Sequence, residues 1–324
     1  MRCYSVTVAI LMSTYNGAKY LEEQIQSIIN QSYPDWHLYI RDDGSTDDTP
    51  KIINKYAEKD TRITFFNQDN IKNIGINRSF LQLLSDTSAE LYMFSDQDDV
   101  WQKNKVSLSV KAMKEKNNAN QPACVFTELQ VVDKELTPLR LMNNGNIWFD
   151  FPHFLFGNCV TGCTMMINQQ LKTKLKLDLT NIDKIYLHDW WIALITSAIG
   201  KLIYIKEPTI LYRQHGDNVE GSKKNNLFTL SSRALHLQRE EKAMLKMFLM
   251  DQEFQKLFAK QVTGVNKQYL DGYVKLLGNC SFINRLKLII TLPPKRLHLK
   301  GRLLFSYMIL CKYRGFSTAQ PHVN

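Results

Sequence analysis

Between residues 7 and 117 the chain alternates short apolar runs with amphipathic helical stretches, and every apolar run ends in polar residues. Thr7–Met12, Trp36–Arg41, Ile63–Asn67 and Leu91–Ser95 read as strands. Tyr20–Ile29 places Leu21, Ile25, Ile28 and Ile29 on one helical face. A second helix starts at Thr49-Pro50, with Thr49 as N-cap, and turns Ile52, Ile53 and Tyr56 inward. Asn77–Ser85 and Lys103–Asn117 are further helices. Strand-helix-strand units with connections this short build a parallel sheet covered on both faces. Ligands of such sheets bind at the carboxyl ends of the strands.

Those ends carry the polar residues. Strand one runs into Ser13-Thr14-Tyr15-Asn16-Gly17, strand two into Asp42-Asp43-Gly44-Ser45-Thr46-Asp47, and strand three into Asn70–Arg78. Strand four runs into Ser95-Asp96-Gln97-Asp98-Asp99-Val100-Trp101. Each loop alone is ordinary turn chemistry, but four on one edge make a site. Three carboxylates in four positions after a buried strand are costly unless positive charge sits on them. A divalent metal held by the acids and neutralising a diphosphate accounts for that cost.

The remaining composition narrows the function. Six cysteines, at 3, 124, 159, 163, 280 and 311, form no CxxC pair and resemble neither a disulfide framework nor a zinc site. A reducing cytoplasmic setting is expected. The N-terminal apolar run is short and lacks a small-residue cleavage pattern, so it reads as a strand rather than a signal peptide. No apolar run is long enough to span a bilayer as a helix. The net charge is +10, yet nine Lys and Arg residues and no acidic residue follow Asp271. The body is therefore nearly neutral and the tail basic. No nucleic-acid reading module accompanies that charge, and nucleic acid is not an expected partner.

Past residue 120 the pattern loosens. Cys124–Leu141 suits irregular strands, and Phe156–Ile167 suits a strand preceded by a loop with two glycines. Residues 185–199 read as a helix with His188-Asp189-Trp190-Trp191 near its start. Leu202–Ile205 and Thr209–Tyr212 read as two strands, and 227–275 as helical.

The motifs Ser13-Thr14-Tyr15-Asn16-Gly17, Asp42–Asp47, Asn73-Ile74-Gly75 and Asp96-Gln97-Asp98-Asp99, in this order, resemble the inverting family-2 glycosyltransferases of GT-A fold. His188–Trp191, Gly162-Cys163-Thr164 and Tyr212–Val219 are similar to the bacterial rhamnosyltransferase branch. The resemblance covers residues 5–220. It implies an α/β GT-A domain over 1–222 and a helical, basic extension over 223–324. It further implies that Ser13, Tyr15, Asn16 and Asn73 lie on nucleotide-sugar loops and that Asp43 reads the pyrimidine base. Asp96 would stand near the ribose or the metal, Asp98 would ligate the metal with help from Asp96 and His215, and Asp99 would support them from behind. Asp189 would be the catalytic base.

The implied activity is transfer of a sugar, L-rhamnose from dTDP-L-rhamnose, to a lipid-linked glycan acceptor in cell-surface polysaccharide synthesis, with Mg²⁺ or Mn²⁺. The chemistry is consistent: a hard cation stabilises the leaving diphosphate, and a carboxylate takes the proton of a poorly nucleophilic hydroxyl. Three rivals stand beside it: a transferase using a UDP-hexose, a nucleotidyltransferase, and a non-catalytic glycan-binding homologue. The second lacks its Gly- and Arg-rich triphosphate loop here, and the third does not need acids at 43, 96, 98 and 189. A 6-deoxy sugar would favour an apolar wall, for which Trp190, Trp191, Met165 and Met166 are candidates. The tail's mixture of basic and apolar residues, as in Arg285–Ile290 and Arg302–Phe305, suits contact with an anionic membrane surface.

Overall fold

A computed structural model describes residues 6–117, 121–177, 182–214 and 230–312. The N-terminal units are β1 (Val8–Thr14), α1 (Ala18–Ile29), β2 (Trp36–Asp42), α2 (Thr49–Lys59), β3 (Ile63–Phe65), α3 (Ile76–Asp86) and β4 (Leu91–Ser95). Next come β5 (Val100–Trp101), α4 (Lys105–Lys116), β6 (Ala123–Val132), β7 (Pro138–Leu141), α5 (Phe151–Phe154), β8 (Met165–Asn168), α6 (Gln169–Lys174), α7 (His188–Ile199) and β9 (Lys201–Arg213). The C-terminal helices are α8 (Leu230–Phe258), α9 (Gly264–Val274), α10 (Phe282–Thr291) and α11 (Leu299–Cys311).

The strands form one sheet in the order β3-β2-β1-β4-β8-β6-β9-β5, with β7 on β6. β3, β2, β1 and β4 are mutually parallel, as are β6 and β9. β8 runs antiparallel to both its neighbours, β4 and β6. Alternation along β1 sends Val8, Ile10 and Met12 to the layer of α1, α2 and α4, and Ala9 and Leu11 to the layer of α3 and α7. That second layer also receives the C-terminal helices. Phe156 meets Tyr273 of α9 at 4.6 Å and Phe305 of α11 at 5.3 Å between ring centroids. Trp191 of α7 lies against Phe254 and Phe258 of α8. The expected boundary at 222 falls outside the described residues, and α8 to α11 share their core with the sheet.

Several local expectations are corrected. β9 is one strand rather than two. Pro208 lies inside it opposite Glu128, where the ladder with β6 shifts register, as a residue with no N–H requires. The 124–141 stretch forms β6 and β7, and its ladders are irregular as expected, with register shifts after Thr127, Glu128 and Val131. The 227–275 stretch is broken after Phe258, and α9 restarts at Gly264, whose φ of +59° ends any helical continuation. Thr49 is the first helical residue and Asp48 the N-cap. The Thr49 hydroxyl turns away from its own helix and accepts the Gly17 N–H at 2.8 Å.

Candidate functional site

The parallel strands β1, β2 and β4 deliver three loops to one edge, and side chains bind the loops to each other. Asn16 adopts the left-handed backbone region (φ +47°), which asparagine tolerates. Its N–H donates to Ser45 Oγ at 2.8 Å, and its Oδ1 accepts the Thr46 N–H at 2.8 Å. Tyr15 is clasped through its main chain: its N–H donates to Gln97 Oε1 at 2.8 Å and its C=O accepts from Gln97 Nε2 at 3.0 Å. Its ring stays half exposed at 52%. Ser13 stands opposite Arg41 in the ladder at the rim. Gln97 therefore has an organising part that its position between two acids conceals.

Two neighbouring aspartates do different things. Asp42 is wholly buried and accepts from Thr14, from the Ser45 N–H and hydroxyl, and from the Gly44 N–H. Asp43 faces the other way. Its Oδ1 accepts from Arg41 Nη1 at 2.8 Å and the Ile74 N–H at 2.7 Å, and its Oδ2 from the Gly75 N–H at 3.0 Å. Arg41 also reaches Ser79 Oγ and the Lys72 carbonyl. This pair ties the second loop to the third, and Oδ2, with one partner in these bonds, retains acceptor capacity. Asn73 is exposed, with its backbone over Gly44 (φ +88°), where a Cβ would come within 3.2 Å of the Asn73 nitrogen. A cleft of about 470 Å³ opens beside them, lined by Arg41, Phe65, Asn67, Lys72 and Ile74.

The acidic loop after β4 is the electrostatic centre. Ligand atoms of Asp96, Asp99 and Cys163 lie within 4.8 Å of one another, the one such cluster among the described residues. Burial, then the charges of Asp98 and Asp189, push the Asp96 carboxyl up to about 7. Burial and the charges of Asp96 and Asp98 hold the Asp99 carboxyl far above the usual range. Asp99 Oδ1 accepts the Arg213 N–H at 3.2 Å, while its buried Oδ2 finds no hydrogen-bond partner among the described residues. The Lys105 ammonium, fully buried over the Trp101 ring at 4.7 Å and likewise without a hydrogen-bond partner among the described residues, is lowered by burial to about 8. A buried carboxylate oxygen beside a second acid is a donor set that fits a hard divalent cation. The two carboxylates offer oxygen donors, which suit Mg²⁺ or Mn²⁺, and burial pushes the Cys163 thiol beside them well up.

Asp98 is held by its main chain: its carbonyl accepts from Arg213 Nε at 3.0 Å. Arg213, 2% exposed, also donates to the Lys134 carbonyl and to Glu23 of α1, and lies over the Tyr20 ring at 4.5 Å. An arginine closing a strand next to His215 is the one signal the sequence offered for it. His215 itself lies outside the described residues.

The other wall comes from the turn before β8 and from the start of α7. Asp189 lies in the first turn of α7, after the N-cap Leu187. Its Oδ2 accepts the Gly162 N–H at 3.0 Å and its Oδ1 the Trp190 N–H at 2.6 Å. The residue after Gly162, Cys163, has its ligand atom within 4.8 Å of those of Asp96 and Asp99, so this turn adjoins the acidic loop. His188 fixes the turn from behind. It is buried, stacked on Phe80 at 4.4 Å, and lowered by burial to about 3, so it is neutral. Asn77 of α3, unremarked in the sequence, donates to the carbonyls of Ile185 and Tyr186 and accepts the His188 N–H. The proposed apolar sugar wall is overturned for three of its members: Met165, Met166 and Trp191 are 0–1% exposed and belong to the core. Trp190 is also buried and spends its indole N–H on the Phe154 carbonyl.

Comparison with known proteins agrees with this layout. Residues 9–169 match the Glycosyl transferase family 2 profile. The chain is 31% identical over 219 residues to the dTDP-rhamnosyl transferase RfbG of Shigella flexneri, covering 65% of this chain and 74% of that one. It is 24% identical over 191 residues to the UDP-Glc:alpha-D-GlcNAc-diphosphoundecaprenol beta-1,3-glucosyltransferase WfgD of Escherichia coli, covering 58% and 69%. Among solved structures, the mannosyltransferase PcManGT of Pyrobaculum calidifontis, in complex with GDP-Man and Mn²⁺, superposes with a TM-score of 0.53 at 16% identity, covering 98% of this chain and 84% of that one. The fold is GT-A, and the chain belongs to glycosyl transferase family 2.

Proposed function

We propose that the protein is a divalent-metal-dependent inverting glycosyltransferase that moves L-rhamnose from dTDP-L-rhamnose to a lipid-linked glycan acceptor. The observation that supports the reading is that Asp189 holds the Gly162 N–H at 3.0 Å while the next residue, Cys163, has its ligand atom within 4.8 Å of those of Asp96 and Asp99, so a carboxylate stands one turn from the acidic cluster. Asp43 and the cleft beside Arg41 receive the nucleotide base, with the Ser13–Asn16 loop and Asn73 along the nucleotide. Asp96 and Asp98 would hold Mg²⁺ or Mn²⁺, with His215, which lies outside the described residues, as a further candidate ligand; Asp99, whose ligand oxygen lies within 4.8 Å of that of Asp96 and which accepts the Arg213 N–H, would support them. The bound cation supplies charge stabilisation for the departing diphosphate.

Asp189 accepts the proton of the acceptor hydroxyl. The oxygen then forms its bond to the anomeric carbon as the bond to the diphosphate oxygen breaks, and the centre inverts. The Gly162 and Trp190 N–H groups orient the carboxylate of Asp189. The rhamnosyl donor rests on the likeness to the Shigella enzyme, and the lipid-linked acceptor is supported by the name of the Escherichia coli relative. That second name also favours a UDP-hexose as the alternative donor.

Competition among dTDP-rhamnose, UDP-glucose, UDP-galactose and UDP-N-acetylglucosamine, with a rhamnose-terminated lipid acceptor, tests the donor. Preference for a UDP-hexose refutes the rhamnosyl assignment and leaves the mechanism standing. Full turnover in excess EDTA, or by Asp98→Asn, refutes the metal assignment.

A further inference from the structure

The last two helices have two faces each. On α10 the residues Leu288 and Ile289 pack toward the core, while Phe282, Ile283, Leu286 and Ile290 form one exposed stripe at helical spacing. Ile283 and Ile290 are 75% and 70% exposed. On α11 the residues Phe305, Met308 and Ile309 are buried, while Leu299, Leu303 and Tyr307 line the outer face. Arg285 of α10 donates to the Ile309 and Leu310 carbonyls of α11 at 2.7 and 2.8 Å, so the two helices are locked together. Side chains this apolar, left in water on two joined helices, mark an interaction surface.

We infer that the outer face of α10 and α11 docks on an anionic lipid bilayer. Charge selects the occupant. No acidic side chain follows Asp271, and Lys287, Lys300, Arg302 and Lys312 are exposed on or beside the two stripes. Basic groups flanking an apolar stripe match a headgroup layer over acyl chains. Helices of 10 and 13 residues are too short to span the bilayer, which needs about 20. Among the described residues no helix is long and apolar enough to cross a membrane. The helices therefore lie in the interface.

The docked face is coupled to the site by packing. Phe305, on the inner side of α11, meets Phe156, which leads into the Gly162 turn that holds Asp189. Lipid contact on one side of α11 thus fixes the height of the acceptor wall above the membrane. The inference deepens the reading of a lipid-linked acceptor and rests on it only for its purpose, because vesicle binding requires neither donor nor metal.

The test is co-sedimentation of the full-length protein with phosphatidylcholine vesicles, with and without phosphatidylglycerol, over a salt series. Binding should require the anionic lipid and fall at least about tenfold as the screening length shrinks from ~30 Å at 0.01 M to ~3 Å at 1 M salt. Lys300→Gln and Arg302→Gln should each weaken it roughly fivefold. Ile283→Asp with Leu303→Asp should weaken it roughly tenfold or more even at low salt. Both positions are exposed, so the double variant should keep the wild-type urea midpoint and nucleotide affinity. Failure of the folded wild type to sediment with anionic vesicles overturns the inference. So does undiminished binding by the double variant, or a protein dimer that the same substitutions dissolve while no vesicle binding is seen. A rhamnosyl donor assay that fails while vesicle binding succeeds leaves the docking surface intact.

Discussion

Replacing Arg213 with methionine keeps most of the side-chain volume and removes every donor. In the wild type those donors serve the part-buried carbonyls of Asp98 and Lys134 and the half-exposed carboxylate of Glu23, and the guanidinium lies over Tyr20. Each part-buried carbonyl stripped of its donor costs about 1 kcal/mol, the low end for a lost buried partner. The Glu23 pair is worth at most about 1 kcal/mol because one partner is solvated. Loss of the ring contact adds roughly 0.5–1 kcal/mol. The expected loss is about 3 kcal/mol, read as a lower urea midpoint at unchanged slope. Arg213→Lys should recover less than half, since one ammonium cannot reach three acceptors spread over α1 and two loops. Because the Asp98 carbonyl is one of the acceptors, metal-dependent nucleotide affinity should fall in both variants. A loss below about 1 kcal/mol in Arg213→Met, with nucleotide affinity intact, refutes the view that this arginine organises the acidic loop.

Asp189→Asn should lower kcat by about 10²–10⁴ while leaving donor affinity within a few-fold, as equilibrium binding would show. Asp43→Ala strips the partner from Arg41, both side chains being under a tenth exposed, and should cost about 3–5 kcal/mol in urea unfolding. In metal-free protein the Asp96 carboxyl is raised from 3.8 to about 7, so the native state holds a proton that the unfolded chain has lost. Stability should therefore fall as pH rises across that window, by up to about 1.4 kcal/mol per unit, and level off above it. Asp96→Asn should flatten that slope in EDTA, and in the wild type metal affinity should climb over the same interval. Gly162→Ala brings a Cβ to 3.0 Å from His188 Nε2, and His188 cannot yield between Phe80 and Phe94. It should cost about 1–3 kcal/mol and lower kcat, measured by thermal unfolding and turnover.

The parallel strands were legible because each is a short apolar run between a helix and a polar loop, and β4 matches residue for residue. The continuity of β9 through Lys206–Pro208 and the two-residue β5 were less so. Pairing partners, not local pattern, make Val100 and Trp101 a strand. The acids stood out in the chain, yet their division of labour did not. Asp42 and Asp43 look equivalent until the fold points one inward and the other at Arg41. Lys105 escaped notice, and Cys163 stood out only as part of a motif, because only folding places them beside Asp99. The tryptophans of α7 misled for a related reason: an aromatic near a functional acid fits a core as well as a pocket, and burial decides between them.

The reversed strand β8 has a consequence for how this protein changes over generations. Its beginning, not its end, lies beside the carboxyl ends of its neighbours, so the Gly162 turn reaches the same rim as loops encoded before residue 100. On the proposed reading, groups facing the nucleotide and those facing the incoming hydroxyl would then sit largely in separate stretches of gene, joined where Cys163 meets Asp96 and Asp99 and where Asn77 holds the turn before α7. Exchange of the segment around 140–200 between homologues would then test whether the acceptor can be changed while these two seams are kept. Chimeras cut on either side of β8 are a natural route to altered linkages.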